Sequence, residues 1–86
     1  MVTMQGVTRR DRRIAEAEWF GGVVRRRREQ RGWILEQLAE AAQISSTYLR
    51  ILECGENVPT LSVIPQIAVA LDIHAAELLR EYSRKR

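Results

Sequence analysis

Residues 35–54 read LEQLAEAAQISSTYLRILEC, and the phase of their apolar positions decides the fold. Leu35, Leu38, Ala39 and Ala42 fall at i, i+3, i+4 and i+7, the spacing that gathers side chains on one face of a helix. The stripe stops at Gln43–Ile44, so a helix over 35–42 is predicted to end there in a bend. Ser45 is a good N-cap, because its hydroxyl can accept from an amide that the next turn leaves unpaired. It opens a second helix that runs to about Cys54 and stops at Gly55, the residue type best suited to the left-handed turn at a helix end. At ~100° per residue, Leu49 and Leu52 lie about 60° apart and mark the inner side of that helix. Thr47, Arg50, Ile51 and Cys54 then point roughly away from it, with Ser46 at the edge and Tyr48 on the flank.

The flanking segments are also helical in pattern. Thr8 with Asp11 three residues on resembles a capping box, which predicts a helix from about Arg9 to Arg31 with Phe20, Val23 and Val24 on its apolar side and Gly32 as its stop. Gly21 and Gly22 each cost up to ~1 kcal/mol in a helix, and a break is expected there. Residues 1–18 would then be a basic arm or an extra helix, with residues 1–8 disordered. Downstream, a fourth helix follows the Pro59–Thr60 turn, capped by Thr60, with Pro65 near its first turn and an inner stripe of Leu61, Ile64, Ala68 and Leu71. A fifth helix runs from about His74 to Tyr82 and packs Leu78 and Leu79, and the basic tail 83–86 frays. No segment sustains the period-two alternation of a strand. The chain therefore reads as all-α, with five helices, a domain over 19–82 and the bent pair at 35–54.

Composition narrows the class. A chain of 86 residues with 45% hydrophobic and 29% charged residues fits one small folded domain. No apolar run reaches the roughly 20 residues of a membrane helix, and the arginine-rich N-terminal region lacks the apolar core of a signal peptide. Cys54 is the only cysteine, which rules out an internal disulfide and fits a reducing cytoplasm. The net charge of +3 is unevenly spread: residues 1–31 hold nine Arg against four acids, residues 32–81 two Arg against seven acids, and residues 82–86 three positive charges. Clustered arginine fits an anionic partner, nucleic acid first, and equally a solvated surface. There is no nucleophile–base–orienter set, glycine-rich phosphate loop or paired-carboxylate signature. One His and one Cys cannot assemble a metal site of spaced His and Cys ligands. The expectation is a non-enzyme without metal or cofactor.

With these residues in place, the chain resembles the Cro/repressor-type helix-turn-helix proteins, also called the xenobiotic-response-element family. The resemblance covers about residues 20–80 and is strongest over 35–54, where Leu38, Ala39, Ala42, Ile44, Leu49 and Leu52 occupy the family's apolar positions. VRRRREQRG before the motif, LECGENVPTL after it, and then IAVALDI and ELL extend the match. The resemblance implies a five-helix repressor-like DNA-binding domain, its helix-turn-helix formed by helices 2 and 3. It implies that Arg28 pairs with Glu53 to fix the recognition helix. It places Ser46, Thr47 and Arg50 at base-reading positions and Tyr48 against a base or a phosphate. It implies phosphate contacts for the Leu35 amide, Arg28, and Asn57 in the Gly55–Val58 loop; Ser45 at the start of helix 3 and Arg25 in the arginine run read as further phosphate contacts.

The resemblance further implies a homodimeric transcriptional regulator, its recognition helices in successive major grooves of a palindromic operator. Helix 5 and part of helix 4 would make the dimer contact, since no other element reads as carrying spare apolar surface. The implied setting is the cytoplasm of a bacterial or phage-type system, at the nucleoid, with double-stranded DNA as partner, no membrane and no small-molecule effector. FGGVVRRRREQRG and the TYL segment look most like the small controllers found beside restriction–modification genes. The departures weaken phosphate contacts or helix ends and leave the core pattern intact. Ile34 and Leu35 replace the usual cap and phosphate-clamping Gln, Gln43 replaces Gly in the bend, Glu56 stands where Lys or Arg is common, and His74 replaces the usual Ser cap of helix 5.

Other readings stay open beside these. The same fold could serve as a protein-interaction module of an antitoxin-like or regulator-binding kind, with the acidic middle and Trp19 as contact surface. Arg9, Arg10, Arg12 and Arg13 read equally as a DNA-reaching arm and as a free tail. Trp19 reads as exposed, at an interface or as a helix anchor. Trp33 reads as core, Cys54 as an inert surface thiol, and His74 as a cap.

Overall fold

A computed structural model describes residues 8–78 and Arg80. The expected arm over residues 1–7, the helical contribution of Leu79 and the basic tail lie outside the described residues. Four helices are complete: α1 (Arg9–Gln30), α2 (Leu35–Ala42), α3 (Ser46–Glu53) and α4 (Val63–Ala70). Residues 75–78 and Arg80 are helical and form α5. Among the described residues there is no strand, and no helix is long and apolar enough to cross a membrane.

α1 starts at the cap expected from its sequence. The Asp11 amide donates to Thr8 Oγ1 at 3.0 Å and the Thr8 amide to Asp11 Oδ2 at 3.3 Å, a reciprocal cap. The expected break at Gly21–Gly22 does not occur, and α1 is one helix of 22 residues. Gly21 is buried where α1 crosses the end of α3. A Cβ there would collide with the Leu52 carbonyl oxygen and stand 2.9 Å from that of Glu53. The glycine is a contact surface, and the burial of Ala17, Phe20, Val23 and Val24 around it, at about 1.5–3 kcal/mol for each large side chain, outweighs its poor helix propensity.

α1 to α4 all end in one way. A residue with φ of +73° (Gly32), +61° (Gln43), +77° (Gly55) or +60° (Asp72) turns the chain. The next amide then reaches back five residues: Trp33 to Arg28 O at 3.2 Å, Ile44 to Ala39 O at 3.0 Å, Glu56 to Ile51 O at 3.1 Å and Ile73 to Ala68 O at 2.9 Å. These bonds satisfy carbonyls that a helix end otherwise leaves unpaired. Trp33, Ile44 and Ile73, the apolar residues that follow three of the turns, pack on the core. The Trp33 ring also lies beneath the Arg31 guanidinium, 4.3 Å from its centroid, and Arg31 donates to the Leu71 carbonyl at the end of α4 at 3.3 Å.

The core gathers Leu38, Leu49, Leu52, Ile67, Leu78 and Val24, all essentially without solvent contact. α1 packs on α3, and α2 packs on both α3 and α4. Gln66 of α4 donates to the Ala42 carbonyl at 3.1 Å and so ties α4 to the end of α2.

Three expectations need correction here. α4 begins after Ser62, not after a Thr60 cap, and the Val63 amide closes a turn onto Thr60 O at 3.1 Å. Pro65 explains the shift. With Thr60 as cap, Pro65 would sit at the fifth helical position, where an N–H must bond back and the ring clashes. After Ser62 it sits third, where no donor is required. Leu61 consequently falls in the lead-in turn and is 87% exposed, and the inward face of α4 is Val63, Ile67, Ala68 and Leu71, with Ile64 half-buried. Trp19 is half-buried against the core rather than exposed. Spare apolar surface is also more widely spread than one dimer face, since Ile14, Ile34, Val58 and Leu61 are exposed as well as Val69 of α4.

Candidate nucleic-acid interface

α2 and α3 meet at the bend built by Gln43, and each is held by its own local devices. Ile34 has no side-chain acceptor for the start of α2, so half a capping box remains, in which the Ile34 amide donates to Gln37 Oε1 at 2.9 Å. Ser45 supplies the opposite half at α3, its Oγ accepting from the Tyr48 amide at 3.0 Å. The Ser45 hydroxyl proton stays available to an outside acceptor.

Leu49 and Leu52 anchor α3 with no exposed surface. That leaves Thr47, Arg50 and Cys54 exposed on the outer side, with Ser46 and Ile51 half-buried at its edges. Tyr48 packs on the core and is half-buried. Leu35 also packs on the core, so what it offers outward is its first-turn amide, which has no partner inside a helix. Asn57 is exposed in the loop after α3.

The two charged residues singled out on α1 differ in their surroundings. Arg25 lies at the surface, bonded to Glu29 one turn on at 3.2 Å, with side chains 63% and 56% exposed. Such a pair is worth roughly 0.3–0.5 kcal/mol, so the arginine can readily turn to another anion. Arg28 is held in place. Its Nε and Nη2 donate to the two carboxylate oxygens of Glu53 at 2.8 and 2.9 Å, and its Nη1 donates to the Trp33 carbonyl at 2.8 Å. The two side chains are only 12% and 5% exposed. The hydrogen bond to Glu53 raises the Arg28 pKa above its ordinary value. A two-pronged bond of this kind fixes orientation as well as distance. It locks the C-terminal end of α3 to α1 and the α1–α2 turn, and so sets the angle at which the outer face of α3 is presented.

The sequence left Arg10 and Arg13 between a DNA-reaching arm and a free tail, without the loop they face. Arg10, Arg13, Ile14 and Ala17 line a cleft of about 160 Å³ against Gly55, Glu56, Asn57 and Val58. The signal was present in the i, i+3, i+4, i+7 spacing of those four α1 residues, which continues the phase of the buried Phe20, Gly21 and Val24.

A short exposed helix with small polar residues, capped by serine and presented by a buried ion pair, has the shape of a DNA-reading element. Known proteins agree. Residues 19–81 match the sequence profile of the family described as Helix-turn-helix domain. The HTH-type transcriptional regulator SutR of Escherichia coli (strain K12) is 35% identical over 57 residues, covering 66% of this chain and 32% of SutR, so the chain spans about a third of that relative's length. The restriction-modification controller protein C.AhdI from Aeromonas hydrophila is 33% identical with a TM-score of 0.72, over 74% of this chain and 97% of C.AhdI. The clp gene regulator ClgR from Corynebacterium glutamicum is 30% identical with a TM-score of 0.71, over 84% of this chain and 91% of ClgR. With a profile match over well more than half its length and the α2–α3 pair at its centre, the chain belongs to the helix-turn-helix domain family of DNA-binding transcriptional regulators, which are not enzymes.

Proposed function

We propose that this chain is a sequence-specific double-stranded DNA-binding regulator that acts as a homodimer on a palindromic operator. The observation that carries this reading is the outer face of α3, with Thr47 and Arg50 exposed on a helix whose inner side is fully buried and whose end is fixed by the Arg28–Glu53 pair. Arg50 reaches a guanine edge in two-pronged fashion, while Ser46, Thr47 and Tyr48 make shorter contacts with neighbouring bases. The Leu35 amide, Ser45, Asn57 and Arg25 hold phosphates and set the register. Arg28 acts mainly through Glu53, by positioning α3. The exposed Val69 of α4 and Leu61 before it supply apolar area for self-association beside α5. The similarity to C.AhdI supports a role as a controller of restriction–modification genes.

A salt titration of binding to mixed-sequence duplex tests the reading. A DNA reader binds at low salt, with log K falling linearly against log salt at about 0.9 per phosphate contact. Absence of binding at low salt would refute it and favour an interaction module on the same fold. Selection of sites from a random pool then identifies the operator. On that operator Arg50→Ala costs specific binding about 1–3 kcal/mol relative to nonspecific binding. Equal losses in both would remove Arg50 as a base reader.

A further inference from the structure

We infer that the N-terminal half of α1 forms, with the loop after α3, a second phosphate-binding site on the DNA backbone, built from Arg10, Arg13 and Asn57. This rests on the regulator reading above and extends it to residues upstream of the family match, which begins at residue 19.

The geometry starts from the continuity of α1. Because the helix does not break at the paired glycines, residues 9–18 are a rigid extension of it. Gly55 permits the close approach, since a Cβ there would stand 2.8 Å from Glu18 Cα. The inner stripe of α1 is apolar at Val24, Phe20 and Ala17, and one further turn out it becomes Ile14, Arg13 and Arg10. The cleft therefore has an apolar floor and a cationic rim, facing the exposed Asn57. Among the described residues neither Arg10 nor Arg13 forms a salt bridge, which leaves both guanidinium groups available to an anion. The loop follows directly from Cys54 at the end of α3, so the cleft borders the face that carries Arg50.

The occupant is a backbone phosphate of the same duplex. Guanidinium groups match the geometry of a phosphodiester, and a phosphate beside the recognition helix is where such a rim would meet one. Leu35 offers no side-chain donor at the start of α2, and Glu56 opposes anions at the loop. Among the residues that line the cleft, two arginines stand against the one acid Glu56, so the lining is net positive.

The test compares two double variants of equal charge, R10Q/R13Q and R9Q/R12Q. Glutamine keeps helix propensity close to that of arginine, and circular dichroism checks that both remain folded. Each is titrated with salt on mixed-sequence duplex alongside the unaltered protein. R10Q/R13Q is expected to lower the slope of log K against log salt by nearly two per bound protomer, at about 0.9 for each phosphate no longer neutralised, and R9Q/R12Q by clearly less. Glu56→Gln is expected to tighten binding by removing the repulsive carboxylate. If the unaltered protein binds steeply but the two double variants reduce the slope equally, or Glu56→Gln leaves affinity unchanged, the cleft is not a phosphate site and the regulator reading stands. If the unaltered protein fails to bind at low salt, the regulator reading fails first.

Discussion

Alanine at each of the two adjacent glycines of α1 separates helix propensity from packing within a single turn. In a helix interior Ala is better than Gly by about 1 kcal/mol. At Gly22 an added methyl meets nothing within 4 Å, so the whole gain should appear, as a rise in Tm of roughly 4–8 °C for a chain of this size. At Gly21 the same gain is opposed by a collision with the Leu52 carbonyl and a contact at 2.9 Å with that of Glu53. Both obstacles are backbone, so relief requires α1 and α3 to move apart, and overpacking of that kind costs typically 1–3 kcal/mol or more. Gly21→Ala is therefore expected to be less stable than Gly22→Ala by about that amount, a Tm difference of roughly 5–20 °C. Thermal and guanidinium unfolding of both variants, followed by circular dichroism, measures the gap. Two variants within about 0.5 kcal/mol of each other would refute the tight crossing of α1 over α3, and with it the explanation for an unbroken helix.

Three further outcomes follow from particular contacts. Glu53→Leu leaves Arg28 poorly exposed and without its carboxylate, and is expected to cost about 3–5 kcal/mol; a loss under 1 kcal/mol in chemical denaturation would show that the pair adds little. Gln43→Gly and Asp72→Gly each relieve a side chain held at positive φ and are expected to stabilise by up to about 1 kcal/mol, so a loss of stability in both would contradict the strain assigned to those turns. Leu52→Ala is expected to cost about 2–5 kcal/mol, whereas Leu61→Ala should stay within about 0.5 kcal/mol; comparable losses would return Leu61 to the core.

Much of this fold was legible because its signals are local. The bounds of α2 follow from one apolar stripe, and those of α3 from the Ser45 cap and Gly55, and the structure reproduces them. The errors arise where one local signal competes with another or with a distant partner. Thr60 and Ser62 both read as caps, and the position of Pro65 inside the helix is what argues for the start two residues later. Gly21–Gly22 reads as a break until the α3 carbonyls above Gly21 are known, and those lie more than 30 residues away in sequence. The outer face of α3 could be projected from periodicity, and the spacing of Arg10, Arg13, Ile14 and Ala17 puts them in phase with the buried face of α1. That phase carries across Gly21–Gly22 only if the helix is unbroken, and it does not name the loop at 55–58 as the neighbour.

The straightness of α1 has a consequence for how this chain can change length. Arg10 and Arg28 sit on one rod of 22 residues, one end beside the loop after α3 and the other clamped to α3 itself. At about 1.5 Å and 100° per residue, inserting a single residue between Arg13 and Ala17 would swing Arg10 and Arg13 about a quarter turn off the cleft while leaving the Arg28–Glu53 clamp untouched. An insertion of seven residues would restore their bearing but carry them about 10 Å beyond the loop. The extension is thus keyed like the teeth of a latch, by angle and by reach together. Between Thr8 and the crossing at Gly21, any change of length would therefore move the two arginines away from the loop.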